Sequence, residues 1–188
     1  MYGVLNARLP CGMQYLGTDM STELLSDAFG RISEVVHSAL RGASIDVLTY
    51  RVDPGANTMA WLIWHLTRVQ DDHISDLLEQ EQVWTTGSWV DRFGLPFDPG
   101  ATGYRQSAGD VAAVRAEAGL LAGYYDAVHT RTMTYLDTLA EADLSRIVDT
   151  SWDPPVTLAV RLISILSDDL QHAGQASYVR GLAMRAGL

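Results

Sequence analysis

Four long stretches of this chain place apolar side chains at intervals of three and four, and none alternates them at intervals of two. That pattern limits the fold to helices packed on helices. The first stretch opens at Ser21-Thr22-Glu23-Leu24, carries Leu24, Leu25, Phe29, Ile32, Val35, Val36 and Leu40, and closes at Arg41-Gly42. A turn over residues 52–58 offers Asn57 or Thr58 as the N-cap of a second helix from about Met59 to Glu81. Its stripe is Leu62, Leu66, Val69, His73 and Leu77, with His65 beside it. A third helix is expected from Asp110 to Ala140, where Gly119 and Gly123 mark close helix contact, and a fourth from Val156 to Arg185 after Pro154-Pro155. Between the second and third helices, residues 85–109 are broken by Gly and Pro and anchored by Trp89, Phe93, Phe97 and Tyr104. So long an irregular segment in a compact fold reads as a packed flap. The expected architecture is an all-α four-helix bundle over residues 20–188, with one long crossover or flap between helices 2 and 3, behind an irregular extension over residues 1–19.

The formal charge of −10 makes the surface acidic, which disfavours nucleic acid and anionic lipid as partners. No apolar run reaches the roughly 20 residues of a membrane span. The first residues lack the pattern of a secretory signal, so a cytoplasmic protein is expected. Cys11 is the one cysteine, which excludes an internal disulfide and a Cys-based zinc site.

Two helical stretches carry the chemistry: Trp61-Leu62-Ile63-Trp64-His65-Leu66, and Ser167-Asp168-Asp169-Leu170-Gln171-His172-Ala173-Gly174-Gln175. Residues four apart on a helix project side by side, so Asp168 and His172 can grip one ion together, and His65 from another helix completes a set of two imidazoles and a carboxylate. Such a set suits zinc first, with nickel, iron or manganese as alternatives, and leaves an exchangeable position. Asp169, three residues before His172, fits the spacing as well, and the apolar stripe does not choose between the two aspartates. Around this core, Asp72 is a candidate acceptor for the His65 ring and His73 a candidate lining of a substrate pocket. Gln175 is a candidate hydrogen-bonding group, and Arg68 and Arg161 are candidates for holding an anion.

The strings Trp64-His65-Leu66-Thr67-Arg68-Val69-Gln70-Asp71-Asp72-His73 and Asp168-x-x-x-His172-x-Gly174-Gln175 resemble the DinB-like metal-dependent four-helix bundles, in particular an actinobacterial branch. That group includes bacillithiol transferases and the metal-binding domain of mycothiol-dependent maleylpyruvate isomerase. The family's usual triad is three histidines. Asp168 stands where the second would be, as a carboxylate does in the isomerase branch. The resemblance implies a small-molecule S-transferase or isomerase with mycothiol as cosubstrate, and a homodimer. Water in place of thiol would give a hydrolase, and a bundle that binds metal or a small ligand without turnover is the alternative outside catalysis.

Overall fold

The structure, a computed structural model, describes residues 20–188; the expected extension and Cys11 lie outside the described residues. Four long helices form the bundle: α1 (Met20–Leu40), α3 (Met59–Leu78), α7 (Ala118–Leu136) and α8 (Leu158–Arg185). The short helices are α2 (Ile45–Leu48), α4 (Val83–Thr86), α5 (Trp89–Phe93) and α6 (Ala108–Ala113). Three of the four long helices begin or end for a local reason. Thr58 and Thr157 accept the N–H groups of Trp61 and Val160 as side-chain N-caps, and Gly42 leaves α1 at a φ of 64°.

The helix α3 is the centre of the bundle, packing mainly against α8 and α7. Every residue from Met59 to Asp71 is buried, so the single apolar stripe read from the sequence understates its enclosure. A helix buried all round must satisfy its polar side chains internally, and α3 does so for most of them, Trp64 Nε1 and Gln70 Oε1 being without a partner. The Thr67 hydroxyl donates to the Ile63 carbonyl, and the Gln70 amide to Thr132 Oγ1 at 2.7 Å. Asp71 accepts from the backbone N–H groups of Val83 and Trp84 at 2.9 and 2.8 Å, and from the Tyr124 hydroxyl at 2.8 Å.

The cover over α3 is the flap, and it contains α4 and α5 where irregular chain was expected. Asp71 binds the first N–H groups of α4, and Trp84, Trp89 and Phe93 ring the buried Tyr124 at centroid distances of 5.1–5.9 Å. A Cβ at Gly123 would lie 3.0 Å from the Trp89 ring, so this glycine admits the flap to α7, whereas Gly119 has open space beside it.

Two further expectations are corrected. The third helix is split, because Val114 leaves helical geometry at φ −76° and ψ 90° and α7 restarts only after Glu117. Val114 and Ala116 are buried at this bend, so tertiary packing overrides an uninterrupted helix-forming sequence. A minimal antiparallel hairpin, β1 (Ile147–Asp149) with β2 (Val156–Thr157), leads into α8.

Candidate metal centre

His65 and the pair Asp168 and His172 enter from α3 and α8, the two helices in most extensive contact. One nitrogen or oxygen from each of the three residues lies within 4.8 Å of the others. His65 is 4% exposed, and Asp168 and His172 are half-buried. The two imidazole rings are 4.8 Å apart between centroids.

Hydrogen bonds fix the tautomers. His65 Nδ1 meets the Thr102 carbonyl and His172 Nδ1 meets Gln175 Oε1 at 2.9 Å. Both partners are oxygens that only accept, so each Nδ1 carries the proton and each Nε2 of a neutral ring keeps its lone pair. His172 Nε2 lies 3.6 Å from Asp168 Oδ1, too far for a hydrogen bond, and Asp168 Oδ2 is buried with no hydrogen-bond partner. Acceptors converge here without a donor between them. Lone pairs so placed repel unless a cation sits among them, and two imidazoles with one carboxylate are a donor set that fits a divalent ion. Burial is the largest influence on the His65 ring and holds its pKa below the usual histidine value; His172 adds to this, while Thr102 and Asp168 oppose it. His65 is therefore in the neutral, ligating form at neutral pH.

The flap closes over His65 at one point. The residue after Thr102 is Gly103, at a φ of 108°, and a Cβ there would fall 2.4 Å from His65 Nδ1 and 3.2 Å from Trp61. Only glycine allows the backbone so close to the ring. Trp61 stacks on His65 at 4.6 Å and 17°, and its indole N–H donates to Gln106 Oε1 at 2.7 Å. Tyr104 meets the His65 ring edge-on at 5.4 Å but is 63% exposed, so it is a rim residue and not the flap anchor expected. Thr102, Gly103 and Gln106 carry no sequence signal of their own; a flap residue becomes visible as a ligand's partner only once the chain folds back.

The other candidates disperse. Asp168 faces the cluster, while Asp169 points into the core at 0% exposure, which separates the two aspartates. Asp72 accepts from Gln82 Nε2 at 2.7 Å, and the Thr102 carbonyl takes the place beside His65 expected of it. Arg68 is fully buried, donates to the carbonyls of Ala101 and Pro99 at 3.1 and 3.4 Å, lies over Trp84 and pairs with the Asp71 carboxylate at 3.6 Å, so it clamps the flap and its charge is matched within the chain. Arg161 donates to Asp149 Oδ2 at 2.8 Å and to His73 Nδ1 at 3.1 Å, which commits its charge to the hairpin. His73, its pKa lowered by burial and then by Arg161, lines a pocket of about 420 Å³ with Tyr104, Ser164, Ser167, Asp168 and Gln171. Asp168 thus joins the histidine pair to an open pocket.

The mycothiol-S-transferase profile matches residues 24–184, which takes in α1 through α8 almost entirely. The chain belongs to the mycothiol-S-transferase family. A solved structure described as the conserved protein of a locus from Enterococcus faecalis is similar at 31% identity and a TM-score of 0.83, covering 89% of this chain and 99% of that one. Comparison with curated proteins yields no match. Membership of the mycothiol-S-transferase family implies a mycothiol-dependent S-transferase with a small-molecule thiol as substrate, and the His65, Asp168 and His172 cluster is compatible with a metal site. No helix among the described residues is long and apolar enough to cross a membrane.

Proposed function

We propose that this chain transfers the sulfur of mycothiol to a small electrophile, with His65, Asp168 and His172 holding one divalent ion, zinc first and nickel, iron or manganese as alternatives. The observation that carries this reading is the convergence of three acceptors with no donor, each histidine having its other nitrogen already bound. When bound, the ion would supply a Lewis acid that makes a thiol acidic enough to be a nucleophile at neutral pH.

The chain's own groups do the rest. Thr102 and Gln175 hold the two rings in the ligating tautomer, and Trp61 and the flap backbone shield His65 from water. The pocket of about 420 Å³ gives the electrophile Val69 and Ile163 as apolar wall and Ser164, Ser167 and Gln171 as hydrogen-bonding groups. In the transfer the S–H proton passes to solvent water, the sulfur lone pair forms the new bond to the electrophilic carbon, and the bond from that carbon to its leaving group breaks with the electron pair departing on the leaving group. The described bundle functions as one unit, and the setting is the cytoplasm, where low-molecular-weight thiols are reduced.

The decisive experiment is metal analysis of untagged protein together with thiol consumption over a panel of electrophiles. Stoichiometric metal that is lost in His65→Ala and His172→Ala is expected, with turnover that depends on thiol. Unchanged metal content in both variants, or turnover indifferent to thiol, would overturn the reading.

A further inference from the structure

His65 and His172 each bind an acceptor through Nδ1 and so keep a bare Nε2 for an ion. His73, about two turns further along α3, is held the opposite way round. Arg161 meets its Nδ1 at 3.1 Å. A guanidinium has only hydrogens to offer, so that nitrogen accepts, and the proton of the neutral ring sits on Nε2. The ring is neutral because burial, first, and the Arg161 charge, second, lower its pKa against the opposing pull of Asp72, Asp76 and Asp168. Arg161 is itself fixed, donating to Asp149 Oδ2 at 2.8 Å across the hairpin and lying 3.7 Å from Asp76. The imidazole therefore cannot turn over without setting one donor against another.

What remains is one N–H. The Nε2 of His73 has no hydrogen-bond partner among the described residues and is not one of the atoms sealed in the core, and His73 lines the pocket of about 420 Å³ that Asp168 shares. The rest of the lining shows what that N–H can serve. Among the described residues of the pocket none is Lys or Arg and Asp168 is the one acid, so an anionic ligand meets no counter-charge there. A neutral oxygen is the complementary partner, since it accepts a hydrogen bond and brings no charge of its own until it reacts.

We propose that His73 is a catalytic residue of this pocket, its Nε2–H binding the oxygen of a neutral electrophile of the epoxide type and stabilising the negative charge that develops there when the thiol attacks. The reaction rests on the thiol transfer proposed above; the donor rests on the contact between His73 and Arg161. In the step, the sulfur lone pair forms the carbon–sulfur bond while the S–H proton passes to water. The carbon–oxygen bond of the epoxide breaks, its electron pair stays on the oxygen, and that oxygen takes a proton from water. His73 keeps its proton throughout and holds the alkoxide by hydrogen bonding. Arg161 is a positioning residue, whose charge behind Nδ1 polarises the ring and makes the Nε2–H a stronger donor.

Side-chain nitrogen NMR of the full chain tests the donor without turnover. The His73 ring, identified as the signal lost in His73→Gln, is expected with its proton on Nε2. Styrene oxide should shift that signal, while phenylcyclopropane, of the same shape without the oxygen, should not. Kinetics with mycothiol test the catalytic role. His73→Leu should lose about 100-fold in kcat/KM with styrene oxide and less than about 3-fold with benzyl bromide, whose leaving atom accepts hydrogen bonds weakly. His73→Gln should recover most of the loss, because one amide can accept from Arg161 and donate to the substrate. A proton on Nδ1, an equal shift with both ring compounds, or an equal loss with both electrophiles overturns the proposal, the last by showing that the ring only supports the fold. An oxygen-specific shift without thiol-dependent turnover refutes the proposed function and keeps His73 as the group that binds the oxygen.

Discussion

Asp168 and Asp169 are adjacent in the chain and occupy opposite environments, and this difference governs what each can do. Asp168 has one buried oxygen without a partner beside two imidazoles, while Asp169 is fully buried with both oxygens unpartnered, near Tyr125. Burial, with Asp168 adding to it, raises the Asp169 pKa well above its ordinary value of 3.8. A group whose folded pKa is raised contributes stability that is complete below 3.8 and is lost as pH rises through the folded value. Asp169→Asn should therefore leave the melting temperature unchanged in acid below that value and raise it increasingly above, each kcal/mol of relief reading as roughly 2–4 °C in a chain of this size. Melting curves across pH decide this, and a uniform gain at every pH would refute it. Spacing alone left both aspartates open because i,i+3 and i,i+4 positions both adjoin His172; only the rotation of α8 in the bundle distinguishes them. Gln175 acts through His172, so Gln175→Ala should weaken metal binding by about 10–100-fold while the bundle keeps its melting temperature. Competition with a chelator of known affinity measures the first effect and thermal melting the second.

At the scale of elements, the long helices were legible because their apolar intervals and their caps agree, as at Thr58 and Gly42. The bend at Val114 was not, since burial against neighbours in space fixes it, and neither was the hairpin before α8, whose strands of three and two residues are too short for an alternating pattern to show. The flap was half legible. Its glycines, prolines and aromatic residues announced a packed irregular segment, but its attachment depends on Asp71, which carried no local signal of its own, and on Arg68, which read locally as an anion holder. Both are buried at 0% exposure, and Asp71 gathers donors from α4, α7 and its own helix. Asp71→Ala removes the acceptor and leaves those donors and the Arg68 charge unmatched in the core, which should cost about 3–5 kcal/mol. Hydrogen exchange should rise first over residues 83–106, and metal affinity should fall because Thr102 no longer holds His65 in place. Equal loss of protection throughout the bundle would show that the flap is no separate unit. Gly103→Ala isolates the last contact of that segment, since the added carbon meets His65 and the backbone at φ 108° is strained for alanine. Weaker metal binding with flap protection intact is the expected result, and retained affinity would mean that the ring tolerates displacement.

For the whole molecule, the balance lies between an apolar interior and a surface of formal charge −10. Like charges confined to one small body repel and oppose the compact state. Salt screens that repulsion, the Debye length falling from about 30 Å at 0.01 M to about 8 Å at 0.15 M, and leaves apolar burial nearly untouched. The melting temperature of the metal-free chain should therefore rise as salt is added. A fold held chiefly by surface ion pairs would respond in the opposite sense. Because a ligand bound only by the folded state stabilises it by mass action, a divalent ion held by His65, Asp168 and His172 should raise the melting temperature further as its concentration grows. His65→Ala should abolish that second rise and leave the response to monovalent salt as it was. A melting temperature that falls with salt, or one that climbs with the divalent ion equally in His65→Ala, would mean that surface pairing, or ion binding elsewhere on the acidic surface, governs the stability.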